Sequence, residues 1–302
     1  MNRPDGLVIA LFRQGIKDWG MGQDCERTER AETRALLAWH AAFIDAGIAS
    51  YDWRIEPVAD ALCSVCPTDP SILMNRVLDL GSSGPPTAAQ LRDIRRVYAD
   101  AGVGRFFLHV VPERKGPDTD ALLEAAGYEK YRGWTKFRRG AGDVRESTTD
   151  LDVRPVGLEH GDAFAAIAVP AFDMAPASEP VVALLPGVEG QQAFMSFDGE
   201  QPAGTGAVYV DGDAAALDWG ATRPGFRRRG GQTAVLAKRI RFALQQGCET
   251  ISTMTGEAEP GDPQHSYTKI SKNGYAEAYL PENWQPAAPR KSRAEAETKD
   301  MS

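Results

Sequence analysis

Hydrophobic positions along this chain alternate between a period near two and a period near 3.6, and the alternation runs through the chain twice. In the second half, 152–156 begins extended. Over 161–172 the residues Phe164, Ile167, Ala168 and Phe172 recur at helical spacing and share roughly one face. The stretches 193–198 and 204–210 are predicted strands joined by a Gly-Glu-Gln-Pro turn. Asp211-Gly212-Asp213 is a hairpin signal, so 214–222 should pair back antiparallel. A helix over about 231–246 follows, closed by Gly247 as its C′ residue. Next come a strand over 250–255, a short helix over 264–272 ending at Asn273-Gly274, and a final strand over 275–279. A helix between two strands implies a parallel step with a right-handed crossover.

The first half repeats the later part of this rhythm. A strand is predicted over 73–80 and a helix over 87–101, with Leu91, Ile94, Val97 and Tyr98 on one face. After Gly102 come a strand over 105–111, a short helix over 118–126, and a last strand from Gly127-Tyr128 through Phe137. Gly102 to Gly127 and Gly247 to Gly274 are spacings of 25 and 27 residues, the halves being offset by about 145, which points to an internal duplication. An earlier helix, about 27–46, carries Leu36, Leu37, His40 and Ile44 near one face and should pack on the sheet.

A chain of 302 residues favours two domains. The expected division is a lobe over 1–140, a polar Gly-containing linker over 141–150, a second domain over 151–286, and a charged, apolar-poor tail over 287–302 expected to be disordered. Hydrophobic residues make up 42% and charged residues 25%, enough apolar side chain for sizeable cores. The net charge of −8 argues against nucleic acid as a bulk electrostatic partner. The N-terminal GLVIALF run is too short to span a membrane, so a cytoplasmic protein is expected, as monomer or homodimer. Cys63-Ser-Val-Cys66 has CxxC spacing, but no second CxxC or His cluster completes a zinc site. His40, His109 and His160 are scattered, and no metal is expected.

The most informative segment is Thr222-Arg-Pro-Gly-Phe-Arg-Arg-Arg-Gly-Gly-Gln-Thr233, which leads from a strand into the long helix. The first helical turn leaves backbone N–H groups without intrahelical partners, and the helix dipole adds partial positive charge there. Gly230 and Gly231 keep side chains away from those amides, while Arg227, Arg228 and Arg229 offer planar cations suited to phosphate oxygens. A basic loop in an acidic chain suits one small polyanion. The corresponding place in the first half, Gly81-Ser-Ser-Gly-Pro-Pro-Thr87, has two prolines without N–H and no basic residue before Arg92.

The run Arg227-Arg228-Arg229-Gly230-Gly231-Gln232 resembles the acyl-CoA pyrophosphate loop of the GNAT (Gcn5-related N-acetyltransferase) superfamily, Arg/Gln-x-x-Gly-x-Gly/Ala. Gln232 stands where the pattern has a second glycine or alanine. The element order around it matches the GNAT core over about 152–286. The resemblance implies an α/β (α+β) protein with two GNAT-like mixed sheets flanked by helices, the N-terminal copy degenerate and without a CoA loop. It implies acetyl-CoA as acyl donor and a small-molecule amine as acceptor, attacking the thioester directly. Gly220, Ala221 and Thr222 would hold the pantetheine arm through their backbone, residues 227–232 and Thr233 the pyrophosphate, and Ser266 would face the cofactor from the short helix.

By position, Asp218 is the candidate general base, in a partly apolar setting beside Trp219 that would raise its pKa. The family's general acid is a tyrosine at the position held here by Ile270. Tyr267 lies one turn earlier on the same helix face and is the candidate acid. His265 is a second candidate base or a capping residue. Trp284 is expected to cover the final strand. The competing readings are a non-catalytic acyl-CoA-binding or sensing protein, and the same fold acting on a protein lysine, on a hydroxyl, or as an acyl-CoA decarboxylase.

Overall fold

The computed structural model describes residues 23–145, 147–258 and 265–288. The apolar run at 6–12 and the tail from 289 on lie outside these residues. The first half comprises α1 (Gln23–Ala46), β1 (Arg54–Val58), β2 (Ala61–Val65), β3 (Arg76–Leu78), α2 (Ala88–Asp100), β4 (Phe107–Val110), α3 (Thr119–Ala125), β5 (Tyr128–Tyr131) and β6 (Trp134–Arg139). The second comprises β7 (Asp152–Val156), α4 (Gly161–Ala171), α5 (Glu179–Val182), β8 (Gln191–Asp198), β9 (Gln201–Asp211), β10 (Ala214–Thr222), α6 (Gly231–Gln245), β11 (Thr250–Gly256), α7 (His265–Lys272), β12 (Ala276–Tyr279) and β13 (Glu282–Pro286).

Two mixed sheets result. One has the order β1-β2-β3-β4-β13-β5, the other β12-β6-β11-β10-β9-β8-β7. Each holds one parallel pair, β3–β4 across α2 and β10–β11 across α6, as the crossover argument required. The run β3-α2-β4-α3-β5 is matched element for element by β10-α6-β11-α7-β12, in accord with a duplication.

The sheets do not divide where the chain divides. The strand expected to run unbroken from 128 to 137 splits at Arg132-Gly133: β5 stays in the first sheet, and β6 enters the second, antiparallel between β11 and β12. Reciprocally, β13 leaves the second half and lies antiparallel between β4 and β5. The two crossing segments touch at Gly133, where a Cβ would meet Leu280 Cδ1 at 2.7 Å and the Pro281 carbonyl oxygen at 2.9 Å, so only glycine lets them pass. Trp284 therefore covers no pocket; it is fully buried in the core of the first sheet.

Helix α1 also departs from expectation. Its buried apolar residues are Leu36, Trp39 and Phe43, whereas Ile44 is exposed. It docks largely on the second sheet: Ala31 packs with Ala214 and Ala216, Arg30 and Arg34 each reach Asp211 at 2.6 Å, and Trp39 Nε1 donates to the Val181 carbonyl at 2.9 Å. Small alanines facing each other let helix and sheet approach closely, and the ion pairs fix the docking angle. Cys63 and Cys66 are buried free thiols, pushed by burial to about 12 and about 11. No described helix is long and apolar enough to cross a membrane.

Candidate active site

A cavity of about 1310 Å³ opens where α1 and β3 of the first half face β10, the loop after it, and α7. Residues 216–222 of β10 line it, and the loop and first turn of α6 continue the wall through Arg227, Arg228 and Gly230 to Thr233.

Local geometry leaves that loop open to an anion. Gly230 is the N-cap of α6 in the left-handed conformation (φ +80°) and offers no side chain to the first amides. Behind the loop, Thr149 Oγ1 donates to the Arg229 carbonyl at 2.7 Å and Ser147 Oγ to the Gly230 carbonyl at 3.1 Å. Planar trans peptides put the Gly230 and Gly231 N–H groups on the sides opposite those carbonyls. The segment expected to be a passive linker thus acts as a clamp on the loop.

The three arginines separate. Arg227 and Arg228 are exposed and line the cavity, and no described residue pairs with either. Arg229, expected in the anion site, turns away: Nη1 lies 2.7 Å from Asp198, and Nε and Nη2 form a fork on Asp150. A bidentate carboxylate already satisfies it, so of the three arginines only the other two face the cavity. Gln232 carries no positive φ and sits inside the helix, so its side chain is accommodated without strain. Its carboxamide rests on β10, where one orientation lets it donate to the Ala221 carbonyl at 3.2 Å and Thr222 Oγ1 at 3.3 Å and accept from Ala221 N–H at 3.3 Å.

β10 carries the reacting end of the site. Its pairing with β9 slips between Asp218 and Ala221, and Trp219 takes φ +62°, a bulge. A tryptophan at positive φ costs on the order of 1–3 kcal/mol. The bulge is held by Thr205 Oγ1 donating to the Trp219 carbonyl at 2.9 Å and by Arg239 Nη1 donating to the Asp218 carbonyl at 2.9 Å. The parallel pairing with β11 extends only from Ala214 to Leu217. Beyond it the two strands separate into a wedge lined by Gly220, Ala221 and Thr222 on one side and by Thr255 and Gly256 on the other. An extended ligand can add to such an edge through backbone hydrogen bonds.

Asp218 is half-buried and lines this cavity. Burial lifts its carboxyl above the usual range, and Arg76, Lys136 and Arg239 pull it partly back. Burial also lowers Arg239 to about 10 and lowers Lys269, which lines the cavity from α7.

Two residues of α7 meet expectation unequally. Ser266 and His265 line the cavity, as does Ile270. Tyr267 does not: its hydroxyl donates to Glu277 at 2.7 Å, and its ring packs edge-on against Phe137 at 5.0 Å. Spacing along α7 placed Tyr267 beside Ile270, but β12 supplies a carboxylate on the other side and draws the phenol outward. The candidate acid is therefore not in the site.

Sequence reasoning assigned to the site none of the residues that the first half contributes. Glu32 and Trp39 of α1, Leu73 and Arg76 beside and on β3, and Trp134 of β6 all line the same cavity. A charge such as Arg239 on the apolar face of α6, with Val235 and Ile240 beside it, was the available signal that a buried polar site lay beneath.

Comparison with solved structures decides the architecture. A GCN5-related N-acetyltransferase from Kribbella flavida superposes with a TM-score of 0.63 at 17% identity, covering 91% of this chain and 99% of that one. The chain has the GNAT fold. A GNAT from Sphaerobacter thermophilus matches with a TM-score of 0.53 at 11% identity, over 87% of this chain and 93% of its own. A tandem GNAT protein from the clavulanic acid biosynthesis pathway matches with a TM-score of 0.50 at 13% identity, over 80% of each chain. No family model and no curated protein matches the sequence. In GNAT terms, both halves supply a mixed sheet, and the second carries the glycine–arginine loop.

Proposed function

We propose that this GNAT-fold protein transfers an acyl group, most simply acetyl, from acyl-CoA to the amine of a small molecule. The observation that carries the reading is one cavity holding an uncapped helix N-terminus with two arginines that have no partner among the described residues, a bulged strand with a free edge, and a half-buried carboxylate. The loop fits a pyrophosphate: a Cβ on Gly225 would meet nothing within 4 Å, and the amides beside Gly230 carry no capping side chain. Arg227, Arg228 and the backbone of 230–233 would hold the pyrophosphate, and the β10 edge at 220–222 the pantetheine arm. For that arm to lie along the strand, the Gln232 carboxamide swings off Ala221.

The thioester supplies an activated acyl carbon. Asp218, its pKa lifted by burial, accepts the proton of the attacking amine. The new C–N bond replaces the C–S bond. With Ile270 at the acid position and Tyr267 on Glu277, the departing thiolate takes its proton from water, which its ordinary pKa of about 8.5 permits. That same missing acid is the observation favouring the second reading, a protein that binds acyl-CoA without turnover. Acetyl-CoA is incubated with a panel of amines and free thiol is followed. Acceptor-dependent thiol release is expected. CoA binding without release for any acceptor would favour the sensor, and no CoA binding at all would end both readings.

A further inference from the structure

Resting on the acyltransferase reading, we infer that the acceptor is a primary amine carried on a flat aromatic body without a carboxylate, seated between the two halves. The first observation is apolar. Trp219, beside Asp218 in the chain, is half-buried and meets Trp39 edge-on at 5.1 Å and Phe172 edge-on at 5.3 Å. All three rings line the cavity, together with Ile72, Leu73 and Leu185. Trp39 is fixed by its indole hydrogen bond to Val181, so this wall is pre-organised. Rings in offset or edge-to-face contact with an aromatic ligand add to its burial, and their faces also favour a cationic amine in transit.

The second observation is electrostatic. The charged side chains that line the cavity around Asp218 are Glu32, Arg76 and Arg239, with Lys136 behind Glu32; Arg239 Nη1 is engaged by the Ala207 and Asp218 carbonyls, and Lys136 by Glu32 and Glu29. Arg76 is not available as a carboxylate anchor. Its Nη1 is engaged by Glu32 at 3.1 Å, and its Nε is sealed from solvent without a partner. Each of the two edges that could grip a carboxylate in a fork includes one of these nitrogens, so both are closed. An α-carboxylate placed here would meet Asp218, and neither guanidinium offers it an open fork. An arriving ammonium meets Asp218 favourably and gives its proton to it.

The test uses the full chain with acetyl-CoA and four amines: phenethylamine, L-phenylalanine, ethylamine and spermidine. Phenethylamine is expected to show a kcat/KM at least about 50-fold above the other three. Phe172→Ala, at a half-buried position, is expected to lower that value at least 10-fold while leaving the KM for acetyl-CoA within about 3-fold. L-Phenylalanine or spermidine equal to or better than phenethylamine would overturn the inference and leave acyl transfer standing. If no amine turns over, calorimetric titration with phenethylamine decides. Saturable binding weakened in Phe172→Ala would keep the acceptor class and remove the acyltransferase reading, whereas no binding would remove the acceptor class.

Discussion

Two strand–loop–helix turns in this molecule descend from one pattern, and they treat the same electrostatic opportunity in opposite ways. At the start of α2, Thr87 Oγ1 accepts from the Gln90 N–H at 3.2 Å. Asp60, from the β1–β2 turn, accepts from the Ser83 N–H at 2.7 Å and from the Gln90 side chain at 2.5 Å. The chain's own carboxylate fills the place where an external anion would sit. At the start of α6 no side chain caps the amides, the loop carbonyls are tied back by Ser147 and Thr149, and two arginines have no partner among the described residues. A helix N-terminus is satisfied either from within or by a ligand, and the duplication shows both solutions side by side.

The comparison breaks most sharply at Gly230. In Gly230→Val a β-branched residue must hold φ +80°, and its Cβ would overlap the Thr148 carbonyl oxygen. CoA affinity measured by calorimetry is expected to fall at least about 100-fold, equivalent to about 2.7 kcal/mol. Next is Asp218→Asn. Because burial raises this carboxyl, kcat/KM of the wild type should climb with pH through a value above the usual carboxylate range, and the variant should lose that limb and about 100-fold in rate. Stability runs the other way. A folded-state pKa raised above the unfolded one means stability is lost as pH rises through it, so the variant should melt higher than wild type at neutral pH.

A smaller effect tests the first half. Asp60→Ala should cost about 1 kcal/mol in chemical denaturation, because it removes the acceptor of the Ser83 amide and one of the two acceptors of the Gln90 carboxamide. It should create no second CoA site, since Pro85 and Pro86 still lack donors. Tyr267→Phe should be smallest, within about 3-fold in kcat, because the hydroxyl it removes is bound to Glu277 outside the cavity.

What was legible in the sequence was local. Glycine at a positive-φ cap, the 3.6 period of α6 and the hairpin before β10 are properties of a few consecutive residues. The features that escaped are settled by distant partners. Arg229 is taken by Asp150 and Asp198, 79 and 31 residues away. Nothing within the alternation of β6 or β13 says which sheet receives them; the crossing at Gly133 against Leu280 and Pro281 marks that choice. The aromatic wall of the cavity is likewise assembled from distant segments, Trp39 of α1, Phe172 after α4 and Trp219 of β10. Strand position sufficed to put Asp218 at the cavity, whereas helix spacing could not put Tyr267 there because it ignored Glu277 on the neighbouring strand.

The central claim is that one turn of the pair was left open for a ligand and the other closed by Asp60. Calorimetric titration of the full chain with CoA tests it most directly. One site per chain is predicted, retained in Asp60→Ala and lost in Gly230→Val. Two sites per chain, or undiminished binding in Gly230→Val, would contradict it.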